Sequence, residues 1–92
     1  MRPRLADWMT PADRAILERL ENEGNEELVL TPRLLADNTD YARTTVQEHL
    51  ADLLDHGLVE YFDETASVYQ LSDRGRAYLA GELDVSELED DE

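Results

Sequence analysis

Apolar residues recur at helical spacing in four stretches of the chain and alternate with polar ones in two others. Thr10-Pro11-Ala12-Asp13 is a helix start: Thr at the N-cap, Pro at the first helical position, an acid two residues later. Ile16, Leu17 and Leu20 continue it on one face, and Gly24 is placed to end it in the left-handed conformation. Leu28-Val29-Leu30 reads as a short strand. Thr31-Pro32 repeats the cap-plus-proline start and opens a short helix carrying Leu34, Leu35 and Ala36. Asp37-Asn38-Thr39-Asp40 interrupts it with turn formers. From Arg43 to His56 the pattern is again helical, with Val46, Leu50, Leu53 and Leu54 on one face. Arg43, Thr44, Gln47, Glu48 and Ala51 lie away from that face, and Gly57 closes the helix.

Beyond Gly57 the period shortens towards two. Leu58-Val59-Glu60-Tyr61-Phe62 and Ser67-Val68-Tyr69-Gln70-Leu71 flank the polar Asp63-Glu64-Thr65-Ala66, which predicts an antiparallel hairpin. Ser72 then caps a last helix running through Arg74 to Leu79, with Ala77, Tyr78 and Leu79 as packing residues. After Gly81 the chain becomes acidic and ends Glu87-Leu88-Glu89-Asp90-Asp91-Glu92, which predicts a solvated end. No repeat and no linker divides the chain. The expected organisation is a lead-in over 1–9, one domain over 10–83 and an acidic tail over 84–92.

Helix, short strand, helix, turn, helix, hairpin, helix is the element order of a winged helix-turn-helix domain, an α+β fold that is mostly α. In that mode, the second of two helices joined by a short turn enters the DNA major groove, and the hairpin is the wing.

Length and composition bound this picture further. At 92 residues, the chain can build one core of modest size. It carries 23 Asp and Glu against 8 Lys and Arg, a formal net charge of −15, which excludes a generally basic nucleic-acid coat or a polybasic membrane binder. All eight cations are arginine. An acidic, lysine-free chain that is still 41% hydrophobic is expected of a protein adapted to molar salt, where charge is screened within about 3 Å. Cysteine is absent, so there is no disulfide framework and no thiolate for zinc or catalysis. No apolar run reaches the roughly 18 residues of a membrane span, nor does the N-terminus resemble a signal peptide. A soluble, cytoplasmic protein is expected.

Particular residues carry a family resemblance. Leu35-Ala36 followed by Thr45-Val46 and Leu50 has the spacing of a core pair on the supporting helix and a Thr-Val-Leu set on the recognition helix. His56-Gly57-Leu58-Val59 looks like the exit into a wing, and Leu71-Ser72-Asp73-Arg74-Gly75 resembles the passage from wing to final helix. With Asp7-Trp8-Met9-Thr10 and the lysine-free composition, residues 7–83 are similar to haloarchaeal winged helix-turn-helix regulators related to the phage phi-H repressor. The chain departs from that pattern at Ala42, where a serine usually caps the recognition helix. It departs also at Asp40, often Gly, and at Thr39, often a buried aliphatic. At the wing tip Asp63 and Glu64 replace cations that often touch phosphate or the minor groove.

The resemblance implies a sequence-specific regulator of transcription whose partner is double-stranded DNA. Arg43 can fork onto guanine and Gln47 onto adenine, while Thr44 and Thr45 can contact a phosphate or a thymine methyl. Glu48 can accept only from cytosine. Arg33 is placed to meet a phosphate near the start of its helix. A homodimer is expected, because one recognition helix reads few base pairs; the lead-in and the last helix are candidate faces by position. No cofactor or effector is legible. His49, Asp52 and His56 share a helical face, yet solvated flanking residues account for them better than a metal site. There is no nucleophile elbow, phosphate-binding glycine loop or metalloprotease helix, so an enzyme is not expected. The competing reading is an acidic winged-helix module that binds a basic protein and not DNA. A basic or neutral patch around the third helix would favour DNA, and a continuous acidic surface would favour the protein partner.

Overall fold

The computed structural model describes residues 4–89. Its elements are α1 (Pro11–Glu21), α2 (Pro32–Asp37), α3 (Arg43–Asp55), β1 (Val59–Asp63), β2 (Val68–Leu71), α4 (Asp73–Leu79) and a closing 3-10 helix (Val85–Leu88). This is the winged helix-turn-helix arrangement that the element order predicts. Both Thr-Pro starts are helix starts. At α2 the Thr31 hydroxyl accepts from the Leu34 N–H at 3.3 Å. At α1 the Asp13 carboxylate takes the capping role, accepting from the Thr10 N–H at 2.8 Å and the Thr10 hydroxyl at 3.1 Å.

The core is built where one face of each helix converges. Ile16, Leu17 and Leu20 of α1, Leu35 of α2, and Val46, Leu50 and Leu53 of α3 are all fully buried. Leu58, Val59 and Leu71 close the hairpin side, and Tyr78 and Leu79 the α4 side. Full burial of each such leucine contributes about 1.5–3 kcal/mol relative to leaving it exposed.

β1 and β2 pair antiparallel, Val59 opposite Leu71 and Tyr61 opposite Tyr69. Gly57, at φ 76°, makes the turn out of α3 that feeds β1, a conformation that costs glycine nothing. The passage from the wing into α4 is held by Ser72, whose hydroxyl accepts from the Gly75 N–H and donates to the Gly57 carbonyl. Gly75 is required by space: a Cβ there would overlap the backbone carbonyl of Leu58.

Several expectations are corrected. α1 ends at Glu21 and its left-handed cap is Asn22 at φ 52°; Gly24 also has a positive φ, 86°, but lies two residues further on and does not end the helix. Asparagine tolerates this region, and its side-chain amide bonds the Glu26 carbonyl at 2.9 Å. Leu28–Leu30 is no strand of its own. It is reduced to one bridge, Leu30 to Tyr69, because the chain must turn at once into α2. Leu34 faces out at 45% exposure. Phe62 does not pack within the hairpin and is 61% exposed, because the register shift between Tyr61 and Asp63 leaves it without a partner across the ladder. The turn between α2 and α3 uses no positive φ, so Asp40 does not take the left-handed role of a glycine.

The expected solvated end is also different over the described residues 84–89. Val85 and Leu88 are buried in the same core, and the Leu88 carbonyl accepts from the Trp8 indole N–H at 2.6 Å. The two chain ends close over each other, with Ala6 and Met9 of the lead-in buried beneath. Residues 1–3 and 90–92 lie outside the described residues.

Candidate nucleic-acid interface

α3 presents two sides. Val46, Leu50 and Leu53 fix one side in the core, which leaves Arg43, Thr44, Gln47 and Glu48 exposed and Thr45 half-buried. Its first turn differs from those of the other three α-helices. α1 starts with a carboxylate, α2 with a capping threonine, and α4 with a capping serine followed by Asp73. α3 starts at Ala42 with no side-chain cap and no acid in its first turn. Its first N–H groups therefore remain available as donors, at the positive end of a 13-residue helix.

A cleft of about 520 Å³ opens beside this helix start. Thr31, Pro32 and Arg33 from the start of α2 form one wall, Arg43 and Gln47 of α3 a second, and Ala66, Ser67 and Tyr69 of the wing a third. Helical spacing explains part of this: Arg43 and Gln47 are four residues apart and share a face, whereas Thr44 and Glu48 are rotated off it. The remaining part is tertiary. Tyr69 donates its N–H to the Leu30 carbonyl at 2.8 Å and accepts from the Leu30 N–H at 3.0 Å, which ties the wing to the residue before Thr31.

The electrostatics of the cleft are unlike those of the chain. One residue in four is Asp or Glu, yet none of the eight lining residues is. Arg33 and Arg43 make no hydrogen bond or ion pair among the described residues. The other described arginines are all engaged. Arg4 meets Glu89, Arg19 meets Asn38, and Arg14 lies against the Tyr78 hydroxyl, with its Nε buried and without a hydrogen-bond partner among the described residues. Arg74 donates to the His56 and Glu87 carbonyls, and Arg76 meets Glu27 and Asp73. The two free guanidinium groups thus share one acid-free cleft.

The wing wall is neutral. Tyr61 and Tyr69 sit with ring centres 4.8 Å apart, and their hydroxyls are 3.4 Å from each other. Burial pushes the Tyr69 phenol up to about 12, and the hydrogen bond to Tyr61 adds to this, so the group stays a neutral donor. Ser67 is held at φ 57° in the turn, its N–H donating to the Glu64 carbonyl at 3.2 Å.

The structure brings together three of the residues singled out from sequence, Arg33, Arg43 and Gln47, and leaves Thr44, Thr45 and Glu48 outside the cleft wall. Thr31, Ser67 and Tyr69 were missed. Thr31 is legible in the sequence only as a cap, and the wing residues join the cleft through a bridge that no local pattern announces. The histidines do not face a common point. His49 Nδ1 is 3.0 Å from the buried Asp13 carboxylate, whereas His56 stacks on Trp8 at 3.8 Å and bonds the Asp52 carbonyl.

Comparison with known proteins bears on both fold and site. A family model described as winged helix-turn-helix phage repressor matches residues 1–91. The repressor protein of Halobacterium phage phiH is 40% identical over 87 residues, covering 94% of this chain and 96% of that one. The crystal structure of the PhiH1 repressor-like protein from Haloarcula marismortui matches with a TM-score of 0.74 at 33% identity, over 92% of this chain and 91% of that chain. The phenylalanine–tRNA ligase alpha subunit of Methanopyrus kandleri is 38% identical over 79 residues. This is 85% of the present chain but only 14% of that subunit, so the likeness is confined to a small part of the enzyme.

Proposed function

This chain belongs to the winged helix-turn-helix phage repressor family, and from that premise we propose that it is a DNA-binding repressor reading the major groove with α3. The observation that carries the reading is the pair Arg33 and Arg43, without partners among the described residues, beside Gln47 in a cleft lined by no carboxylate. In a chain of net charge −15, no acid lines this cleft, which lies beside the open start of the helix that would enter the groove. Arg43 and Gln47 are the base-reading residues, with Thr44, Thr45 and Glu48 as further contacts along the helix. Arg33 holds a phosphate.

The protein acts as a homodimer on two half-sites and represses by occupying its operator. It works in a salt-loaded cytoplasm, a reading supported by the lysine-free acidic composition and by relatives from a Halobacterium phage and Haloarcula marismortui. No helix among the described residues is long and apolar enough to cross a membrane. No catalytic role is proposed.

The test is selection from a random duplex library at about 2 M KCl, a concentration at which phosphate-driven binding is suppressed. A short inverted repeat is expected. Arg43→Ala and Gln47→Ala should each cost about 1–3 kcal/mol of affinity and relax the preference at one position of the half-site. Their melting temperatures should match the parent's, since neither side chain holds the fold. Recovery of no motif from a folded protein would favour the interaction module, for which the exposed Glu48, Asp63 and Glu64 argue.

A further inference from the structure

The wing of this protein poses a problem for duplex binding. Its tip carries Asp63 and Glu64, both exposed, and a tip of that charge repels a phosphate backbone. The Asp63 carboxylate is turned to its own loop, accepting from the Ala66 N–H at 3.2 Å. The root of the wing is different. Ser67 and Tyr69 reach the cleft opposite Arg33, carry no charge, and are the wing's only polar side chains among its lining residues.

We infer that the wing contacts DNA through its root and not its tip: the Ser67 and Tyr69 hydroxyls complete, with Arg33, a seat for one backbone phosphate. This rests on the DNA reading above and adds two positioning residues to it. The chemistry fits on three counts. Ser67 has no hydrogen bond to its hydroxyl among the described residues, so its proton is free. The Tyr69–Tyr61 hydroxyl contact is long at 3.4 Å, and a phosphate oxygen is the stronger acceptor for a proton that can swing. The Leu30–Tyr69 bridge fixes this wall against the start of α2, so the seat needs no assembly when DNA arrives. Neutral donors also suit molar salt, because they release no counterion and lose nothing to screening.

The experiment measures binding of the full chain to its selected duplex and to a series in which one linkage at a time is a neutral methylphosphonate. Ser67→Gly removes the hydroxyl and keeps the left-handed turn; Tyr69→Phe removes the other hydroxyl and keeps the ring. Each is expected to weaken binding by about threefold to tenfold with sequence preference unchanged, the range of one hydrogen bond. On the duplex neutral at the linkage facing the cleft, those losses and that of Arg33→Gln should vanish, while Asp63→Asn and Glu64→Gln show no linkage-specific coupling. A loss equal on every duplex of the series would mean a structural role and overturn the inference. So would coupling found at the tip variants and not at the root. If the parent chain selects no duplex at all, it is the DNA reading that fails, and the two results are thereby distinct.

Discussion

Arginine is used in opposite ways on two faces of this molecule. Where the chain ends meet, Arg74 spans from the His56 carbonyl to the Glu87 carbonyl, each at 3.1 Å, and Arg4 reaches Glu89 at 3.1 Å. Trp8 lies flat against His56 in the same layer. At the cleft, Arg33 and Arg43 have no partner among the described residues. Exposed ion pairs contribute little to stability, so the first group matters mainly through the backbone carbonyls it holds in place. The second group teaches more. With 23 carboxylates and 8 arginines in the chain, these two are left without a partner among the described residues, and no carboxylate lines the cleft they share. That absence costs the fold nothing and prepares a surface for an anion from outside.

The sharpest disturbance is at the packing of α4 on the base of the wing, between the two faces. Gly75→Ala pushes a methyl group into the Leu58 carbonyl, which is backbone and already accepts from the Ser72 N–H at 3.2 Å. A loss of about 3 kcal/mol or more is expected by denaturant unfolding, the largest effect of any single change proposed. Stability within about 0.5 kcal/mol of the parent would show that α4 can back away from the wing and that the contact is not a constraint.

Trp8→Ala comes next. It removes the stack on His56 and the donor to the Leu88 carbonyl, leaving a half-buried gap between lead-in and 3-10 helix. About 2–3 kcal/mol is expected, less than for a fully buried tryptophan. If the two faces are independent, the variant should retain the parent's preference among duplexes at a temperature where it is folded. A changed preference would mean that the chain ends act on the cleft through α3, which His56 terminates.

What could be read from the sequence was local chemistry. Thr10-Pro11 and Thr31-Pro32 marked their helices because cap and proline act within one turn. Arg43 was legible as the start of α3 because Val46, Leu50 and Leu53 set its phase. What could not be read was long-range. Val85 and Leu88 are three residues apart, a helical pair, but they sit in a run of acids whose charge reads as solvation. What they pack against comes from far along the chain: both join the core that includes Ala6 and Met9, and Trp8, some eighty positions earlier, bonds the Leu88 carbonyl. Phe62 belongs to a strand-like run in the sequence, but a single extra residue in the ladder leaves it without a cross-strand partner. Ser67 and Tyr69 belong to the cleft only because Leu30 pairs with Tyr69, across 39 positions. Arg33, Arg43 and Gln47 were legible as exposed polar residues, whereas their lack of partners is a property of the whole surface.

The smallest expected effect compares one phenol from each face. Tyr78 is buried on the terminal side, its hydroxyl donating to the Arg4 carbonyl at 2.9 Å, and burial raises its pKa. Tyr69 at the cleft is pushed up to about 12. A phenol whose pKa is raised by folding favours the folded state while protonated. That contribution is complete below the ordinary tyrosine value of about 10 and is lost as pH climbs through the folded-state value. The chain contains no lysine, so tyrosine is the side-chain type that titrates in this window and the signal is not confounded. Unfolding free energy should therefore fall between about pH 10 and pH 12, and Tyr69→Phe should flatten part of that fall. Tyr78→Phe should flatten another part and, by removing a buried donor, also lower stability at neutral pH by about 1 kcal/mol. Denaturant unfolding of the parent and both variants at matched high salt resolves the two. A parent curve flat across the window would mean that neither phenol is shifted by folding. Equal slopes for the parent and Tyr69→Phe would place the whole alkaline loss on the terminal face, and the cleft phenol would then be as free to ionise in the folded chain as in the unfolded one.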